Sequence, residues 1–324
     1  VPEKKPAPFT CIPDGHVKLA SGRRKWHIPD SDMDFLTPTR VKELLEREGI
    51  ILRKGRGQNM MIDRHSRDKI LSFADLHRDD VVVEVGSGLG CLTEVLVEKV
   101  ARVYAFEIDA SFCRILRERF ERCDRLIILE KDFLKTGPGW WQSLPGKVKL
   151  ISNTPYCLSN KIVSYLLDYL SYISLGLLTV QKEVGERLVA GCGSKDYAPL
   201  SVFLALSAKA SICYCLARSV FFPRPQVDSV VVKIEPFPGS LVPEDKKRQF
   251  QEFVGQIFRY RRKKLSRVIE ALFGVKRDFL ERYLKQANFS PTARAEELPP
   301  EEIYRVFLIV KSQKKILDEK EEVC

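Results

Sequence analysis

Val81-Val82-Val83-Glu84-Val85-Gly86-Ser87-Gly88-Leu89-Gly90 joins a continuous apolar run to a glycine turn, and the turn opens onto a helical pattern that reaches about residue 100. An apolar strand without alternation is covered on both faces, as strands of parallel sheets are. The same alternation then repeats. Strands are expected at 102–106, Leu126–Glu130 and 148–152, with helices reaching about 122 and 169 in the intervals after 106 and 152. This order predicts an α/β fold: a Rossmann-like domain with a mostly parallel sheet.

Further along, a helix over 159–169, a strand at 175–180, more helix, and strands at 210–216 and 227–235 complete the sheet, whose last part is expected to be antiparallel. Period-two alternation would put Cys213 and Cys215 on one strand face. Pro236, Pro238, Gly239 and Pro243 punctuate the chain before a helical pattern over 244–311. Upstream, Thr37-Pro38 starts a helix that Gly49 stops. The basic loop Arg53-Lys54-Gly55-Arg56-Gly57-Gln58-Asn59 then leads to a helix over about 63–77. The expected organisation is an extended basic, proline-rich arm (1–36), an α/β domain with its N-terminal helices (37–238), a smaller all-helical domain (239–311) and a charged tail (312–324).

A formal charge of +11 over 324 residues points to a polyanion, with nucleic acid ahead of a membrane surface. The most membrane-like stretch, 162–180, is broken by Asp168 and Gly176, so no transmembrane segment is expected. The start at Val1 rather than Met suggests a processed or trimmed chain, and no apolar signal-peptide core is visible. The 9 cysteines form no C-x-x-C pair and the 4 histidines are scattered, which excludes an assembled zinc site. Unpaired thiols suit a reducing, intracellular compartment, the cytoplasm ahead of an organelle matrix.

An acid, Glu107, ends the second strand 21 residues after Gly86, where it can accept both hydroxyls of a ribose. That fits a dinucleotide enzyme and an S-adenosylmethionine enzyme equally, and a tight packing turn would also explain the glycines. Asp132 ends the third strand, placed to accept from an adenine amino group beside Phe133. Asn153-Thr154-Pro155-Tyr156 follows the next strand as a rigid corner. The Asn153 side-chain oxygen and a main-chain carbonyl near Pro155 can accept the two hydrogens of an exocyclic adenine amine, which localises its lone pair. Tyr156 offers a stacking face. Methyl transfer to such an amine needs mainly alignment, so neither a strong base nor a metal is called for.

Gln58-Asn59, the glycine turn, Glu107, Asp132, the 153–156 corner, Gln181-Lys182-Glu183-Val184, Arg187-Leu188-Val189-Ala190, Phe221-Phe222-Pro223-Arg224-Pro225-Gln226-Val227-Asp228-Ser229 and Arg261-Arg262-Lys263-Lys264-Leu265 occur in the order found in KsgA-type rRNA adenine dimethyltransferases. The chain resembles that family from about Lys54 through Glu302. The resemblance implies that Asn59, Met61, Gly86, Gly88, Glu107, Asp132 and Asn153 contact S-adenosylmethionine, and that Asn153, Pro155 and Tyr156 hold the target adenine. It implies that Phe221 stacks on the other face of that base. The implied substrate is a pair of adjacent adenosines near the 3′ end of small-subunit rRNA, dimethylated during maturation of the subunit by a monomeric enzyme.

The run at 259–264 carries five cations in six residues, a surface suited to phosphates. The expected RNA contacts are therefore Arg53, Lys54 and Arg56 from the early loop and Arg259, Arg261, Arg262, Lys263 and Lys264 from the late run. Two features depart from the family pattern: Thr154 stands where an aliphatic residue is usual, and the arm before Lys54 is unusually long. The rival functions are a large-subunit rRNA methyltransferase of the antibiotic-resistance type and a non-catalytic ribosome-assembly or organellar transcription factor of the same fold. A dinucleotide oxidoreductase ranks third, because its fingerprint gives no reason for the Asn-x-Pro-Tyr corner.

Overall fold

The computed structural model describes residues 37–52 and 58–321, with side chains of the last helix described through residue 313. The arm at 1–36 and Arg53, Lys54 and Arg56 lie outside the described residues. Helix α1 (Pro38–Arg47) begins where the sequence expects: the Thr37 hydroxyl accepts the Arg40 N–H at 3.4 Å, and Pro38 takes the first helical position. There follow β1 (Met60–Met61), α2 (Arg64–Ser72), β2 (Val81–Val85), α3 (Cys91–Lys99), β3 (Arg102–Glu107), α4 (Ala110–Arg119), β4 (Leu126–Glu130), α5 (Pro138–Gln142), β5 (Val148–Asn153), α6 (Ser159–Asp168) and β6 (Ile173–Gln181). After α7 (Lys182–Leu188) and α8 (Pro199–Ser207) come β7 (Ala208–Leu216), β8 (Phe221–Phe222) and β9 (Ser229–Pro236). The remainder is helical: α9 (Glu244–Arg259), α10 (Leu265–Phe273), α11 (Arg277–Gln286) and α12 (Pro300–Glu321).

The main sheet has the order β4-β3-β2-β5-β6-β9-β7, and every neighbouring pair from β4 to β6 is parallel. Strand β9 runs antiparallel to both β6 and β7, as the late strands lead one to expect. Because β2 lies between β3 and β5, the winding reverses there, and a crevice opens at the carboxyl ends of the strands. Apolar side chains cover both faces. Trp141, Ile162, Leu166 and Val184 pack on one side; Ile70, Leu92, Leu96 and Leu116 pack on the other. Each such buried side chain is worth about 1.5–3 kcal/mol of transfer free energy, so the sheet is a rigid base for the loops at its edge.

Three local features differ from the sequence expectation. Strands β1 and β8 form a separate two-stranded pair, Met60 opposite Phe222 and Met61 opposite Phe221, which ties the segment after the early basic loop to the region before β9. In β7 the register shifts between Ile212 and Tyr214, which face the successive residues Val232 and Val231. Cys213 is thus the extra residue of a bulge, which breaks the alternation and removes the reason for Cys213 and Cys215 to share a face. The last helix runs on to Glu321 rather than ending near Lys311, so the charged 312–321 stretch is helical. Beyond these, the apolar cluster of the helical part reaches back across the Pro/Gly punctuation before α9. Tyr197, Val202 and Leu206 lie in one apolar cluster with Phe250, Phe253, Leu298 and Phe307.

Polar ties reinforce that junction. Arg261 donates through Nε to Glu296 Oε2 at 2.5 Å and through Nη2 to the Lys195 carbonyl at 2.8 Å. The Glu296 carbonyl accepts the Gly193 N–H at 2.7 Å, and the Tyr197 hydroxyl donates to the Leu298 carbonyl at 3.2 Å. Arg261→Ala removes two hydrogen bonds, one of them between charged groups, and should lower stability by about 1–3 kcal/mol in urea titrations. A midpoint equal to that of the unmodified chain would show that the tie contributes nothing.

Candidate active site

The glycine turn after β2 is held by its own geometry. Gly86 has φ of +77° and donates to the Phe106 carbonyl at 2.8 Å; a side chain there would be strained and would bring its Cβ to 3.4 Å from Pro155. Gly90, with φ of +83°, heads α3, and a Cβ on it would come within 2.8 Å of Leu116. The turn therefore packs directly under the 153–156 corner. Two hydroxyls connect them: Ser152 Oγ donates to the Val85 carbonyl at 2.7 Å, and Thr154 Oγ1 donates to Ser152 Oγ at 3.0 Å.

Between the turn, the corner and the ends of β3 and β4 lies a cavity of about 260 Å³. Asn59, Met61, Gly86, Gly88, Glu107, Asp132 and Asn153, all the residues expected at a cofactor, line it. Glu107 is buried, and its carboxylate accepts the backbone N–H groups of Gly88 (2.9 Å), Ile108 (2.8 Å) and Asp109 (2.9 Å). Burial pushes its pKa up while those three donors pull against the shift. Asp132 lines the wall with one oxygen accepting the Leu134 N–H at 3.0 Å, and Phe133 closes the cavity behind it. Glu84, also a lining residue, is only 1% exposed and accepts the Thr93 hydroxyl at 2.6 Å.

At the corner, Asn153 Nδ2 donates to the Asn59 carbonyl at 2.9 Å. With the amide nitrogen used in that way, Oδ1 is the side-chain atom left to accept. The Thr154 N–H donates to the Thr179 carbonyl at 3.1 Å, and the Pro155 carbonyl accepts the Leu158 N–H at 2.8 Å. Pro155 lines the cavity; Tyr156 follows it as a neighbour of the wall rather than a part of it. The Tyr156 hydroxyl lies 2.5 Å from Ser229 Oγ, a fully buried hydroxyl at the start of β9. Burial pushes the Tyr156 phenol pKa up, so the ring stays neutral.

Sequence reasoning missed two roles at this site: the Asn59 carbonyl as orienter of Asn153, and Ser229 as anchor of Tyr156. Both positions were visible as motif members, but nothing in their spacing signals what they touch. Phe221, the ring expected on the other face of the base, is 2% exposed and shares an apolar cluster with Met61, Ile70 and Val231; its strand β8 pairs with β1, and it does not line the cavity. Among the expected RNA contacts, Arg259, Arg262, Lys263 and Lys264 are exposed and take part in no ion pair among the described residues. Arg261 is set apart, its guanidinium being held by Glu296 and Lys195.

A family model described as "Ribosomal RNA adenine dimethylase" matches residues 51–312. The chain is similar to the Ribosomal RNA small subunit methyltransferase A of Halothermothrix orenii, with 33% identity over 82% of this chain and 91% of the relative. The protein of the same name from Natranaerobius thermophilus is 31% identical over 86% of this chain and 98% of its own length. Among solved structures, a dimethyladenosine transferase from Plasmodium falciparum has the same fold, with a TM-score of 0.68 at 23% identity over 79% of this chain and 98% of that one. The 23S rRNA methyltransferase ErmE also shares the fold, with a TM-score of 0.62 at 23% identity over 78% and 100% of the respective chains.

The buried acid beneath the glycine turn yields a pH test. Burial pushes the Glu84 pKa from 4.5 up to about 7. A raised carboxyl pKa means that the folded chain holds the proton more tightly, so this stabilisation is complete below pH 4.5 and is lost as pH rises toward 7. The loss amounts to something on the order of 3 kcal/mol. Glu84→Gln should flatten that part of the stability profile, measured by denaturant unfolding from pH 4 to 8. A variant with the same slope as the unmodified chain would contradict the assignment.

Proposed function

The chain belongs to the ribosomal RNA adenine dimethylase family, and on that footing we propose that it transfers methyl groups from S-adenosylmethionine to the exocyclic amines of two adjacent adenosines near the 3′ end of small-subunit rRNA, as a step in maturation of that subunit. The observation that carries this proposal is the hydrogen bond from Asn153 to the Asn59 carbonyl, which leaves an acceptor oxygen at a corner that borders a nucleoside-sized cavity. The small-subunit names of relatives 33% and 31% identical support the choice of subunit. The ErmE likeness speaks only to fold.

The donor set fits the cofactor. A buried carboxylate preset by three N–H groups and a second acid on the next strand end, with Phe133 between apolar walls, suit a ribose and an adenine. Glu107 would hold the ribose hydroxyls and Asp132 the adenine amine, with Asn59, Met61, Gly86 and Gly88 shaping the wall. When bound, S-adenosylmethionine supplies an electrophilic methyl group on a positively charged sulfur.

The target amine is a poor nucleophile because its lone pair is delocalised into the ring. Asn153 Oδ1 and the Thr154 carbonyl accept its two hydrogens, localise the lone pair and stabilise positive charge as it develops. Tyr156, steadied by Ser229, stacks on the base. The Thr154 hydroxyl turns inward to Ser152, which leaves the backbone of that residue to make its contribution. The base leaves its stack to reach this corner. Arg259, Arg262, Lys263 and Lys264, together with Arg53, Lys54 and Arg56, would meet the RNA phosphates.

In single-turnover assays with small-subunit rRNA, Asn153→Ala should lower the rate at least ~100-fold while calorimetric affinity for S-adenosylmethionine stays within about fivefold. Equal rates would remove Asn153 from the chemistry. Glu107→Ala should act the other way, weakening S-adenosylmethionine binding about tenfold or more; unchanged affinity would remove Glu107 from the cofactor site.

A further inference from the structure

Tyr260 caps the C-terminus of α9 and is 49% exposed within the cationic run, between Arg259 and Arg261. Its ring meets no other aromatic side chain among the described residues, and its neighbours Arg259, Arg262, Lys263 and Lys264 are all exposed. A large planar ring left in water beside unpaired cations offers a partner both a face for stacking and charges for its phosphates.

The loop that carries these groups is already ordered. The Lys263 N–H donates to the Tyr260 carbonyl at 2.7 Å, and the Leu265 N–H donates to the Ala293 carbonyl at 2.8 Å. Lys264 forms a backbone bridge with Arg294. Arg261 points back to Glu296 and Lys195, while the other four cations of the run are exposed. Little loop entropy remains to be lost on binding.

We propose that Tyr260 is a stacking platform for an unpaired nucleobase of the rRNA substrate, with Arg259, Arg262 and Lys263 gripping the flanking phosphates. This rests on the rRNA-substrate proposal above and adds to it the kind of RNA element that docks. An A-form duplex hides its base faces, so the occupant is a loop, a bulge or a single-stranded end. An acidic peptide would engage the cations and leave the ring face without a planar partner.

The test is binding of the full-length chain to naked small-subunit rRNA across a salt series. Tyr260→Ala should weaken binding about tenfold at every salt concentration, with the slope of log affinity against log salt unchanged. Tyr260→Phe should bind as the unmodified chain does. Arg262→Gln with Lys263→Gln should reduce the slope instead. Undiminished binding by Tyr260→Ala overturns the stacking, as does an equal loss in Tyr260→Phe or a loss seen with ribosomal particles and not with naked rRNA. Failure of the unmodified chain to bind rRNA overturns the substrate proposal and the stacking together.

Discussion

The hydrogen bond from the Asn153 amide to the Asn59 carbonyl is the constraint on which the site depends. It joins two segments 94 residues apart. It also decides which end of a symmetric-looking side chain faces a substrate: with nitrogen committed to the protein, oxygen is left to accept. An Asn free to rotate would present a donor to an amine as often as an acceptor, and half of its orientations would oppose the chemistry. The β1–β8 pair then acquires a purpose, because it holds the strand that follows Asn59 against Phe221 and Phe222.

The same economy runs through the corner. Ser152 reaches back to the Val85 carbonyl and Thr154 reaches Ser152, so the end of β5 is fastened to the end of β2 at the point where the sheet reverses its winding. Glycine at 86 allows Pro155 to sit over the turn. Glu107 is fixed by three backbone donors before any ligand arrives, which reduces the reorganisation that binding would demand. At the far side of the chain, Arg261 and Glu296 do for the helical part what these hydroxyls do for the corner.

Much of this was legible in the residues. Val81–Val85 emerges at the expected residues because a strand covered on both faces is dominated by apolar residues, and Leu126–Glu130 does so too although it is a half-buried edge strand. Gly86, Glu107 and Asp132 could be read from a glycine turn and acids at strand ends, and Asn153 from its corner, whereas Asn59 and Met61 could be named only through the family resemblance. What stayed hidden depends on partners distant in sequence. Nothing local to Arg261 distinguishes it from Arg262, yet Glu296 is 35 positions away and takes its charge. Phe221 reads as a stacking ring by family pattern, and only the pairing of two-residue strands shows it entering the core. The bulge at Cys213 is likewise a property of two strands, not of one.

The central claim is that the corner presents adenine amines of small-subunit rRNA for methylation. The most direct measurement is nucleoside mass spectrometry of small- and large-subunit rRNA after parallel incubation with the chain and S-adenosylmethionine. The account predicts N6,N6-dimethyladenosine at two neighbouring positions near the 3′ end of small-subunit rRNA. No dimethyladenosine in either RNA, or its formation in large-subunit rRNA alone, would contradict it.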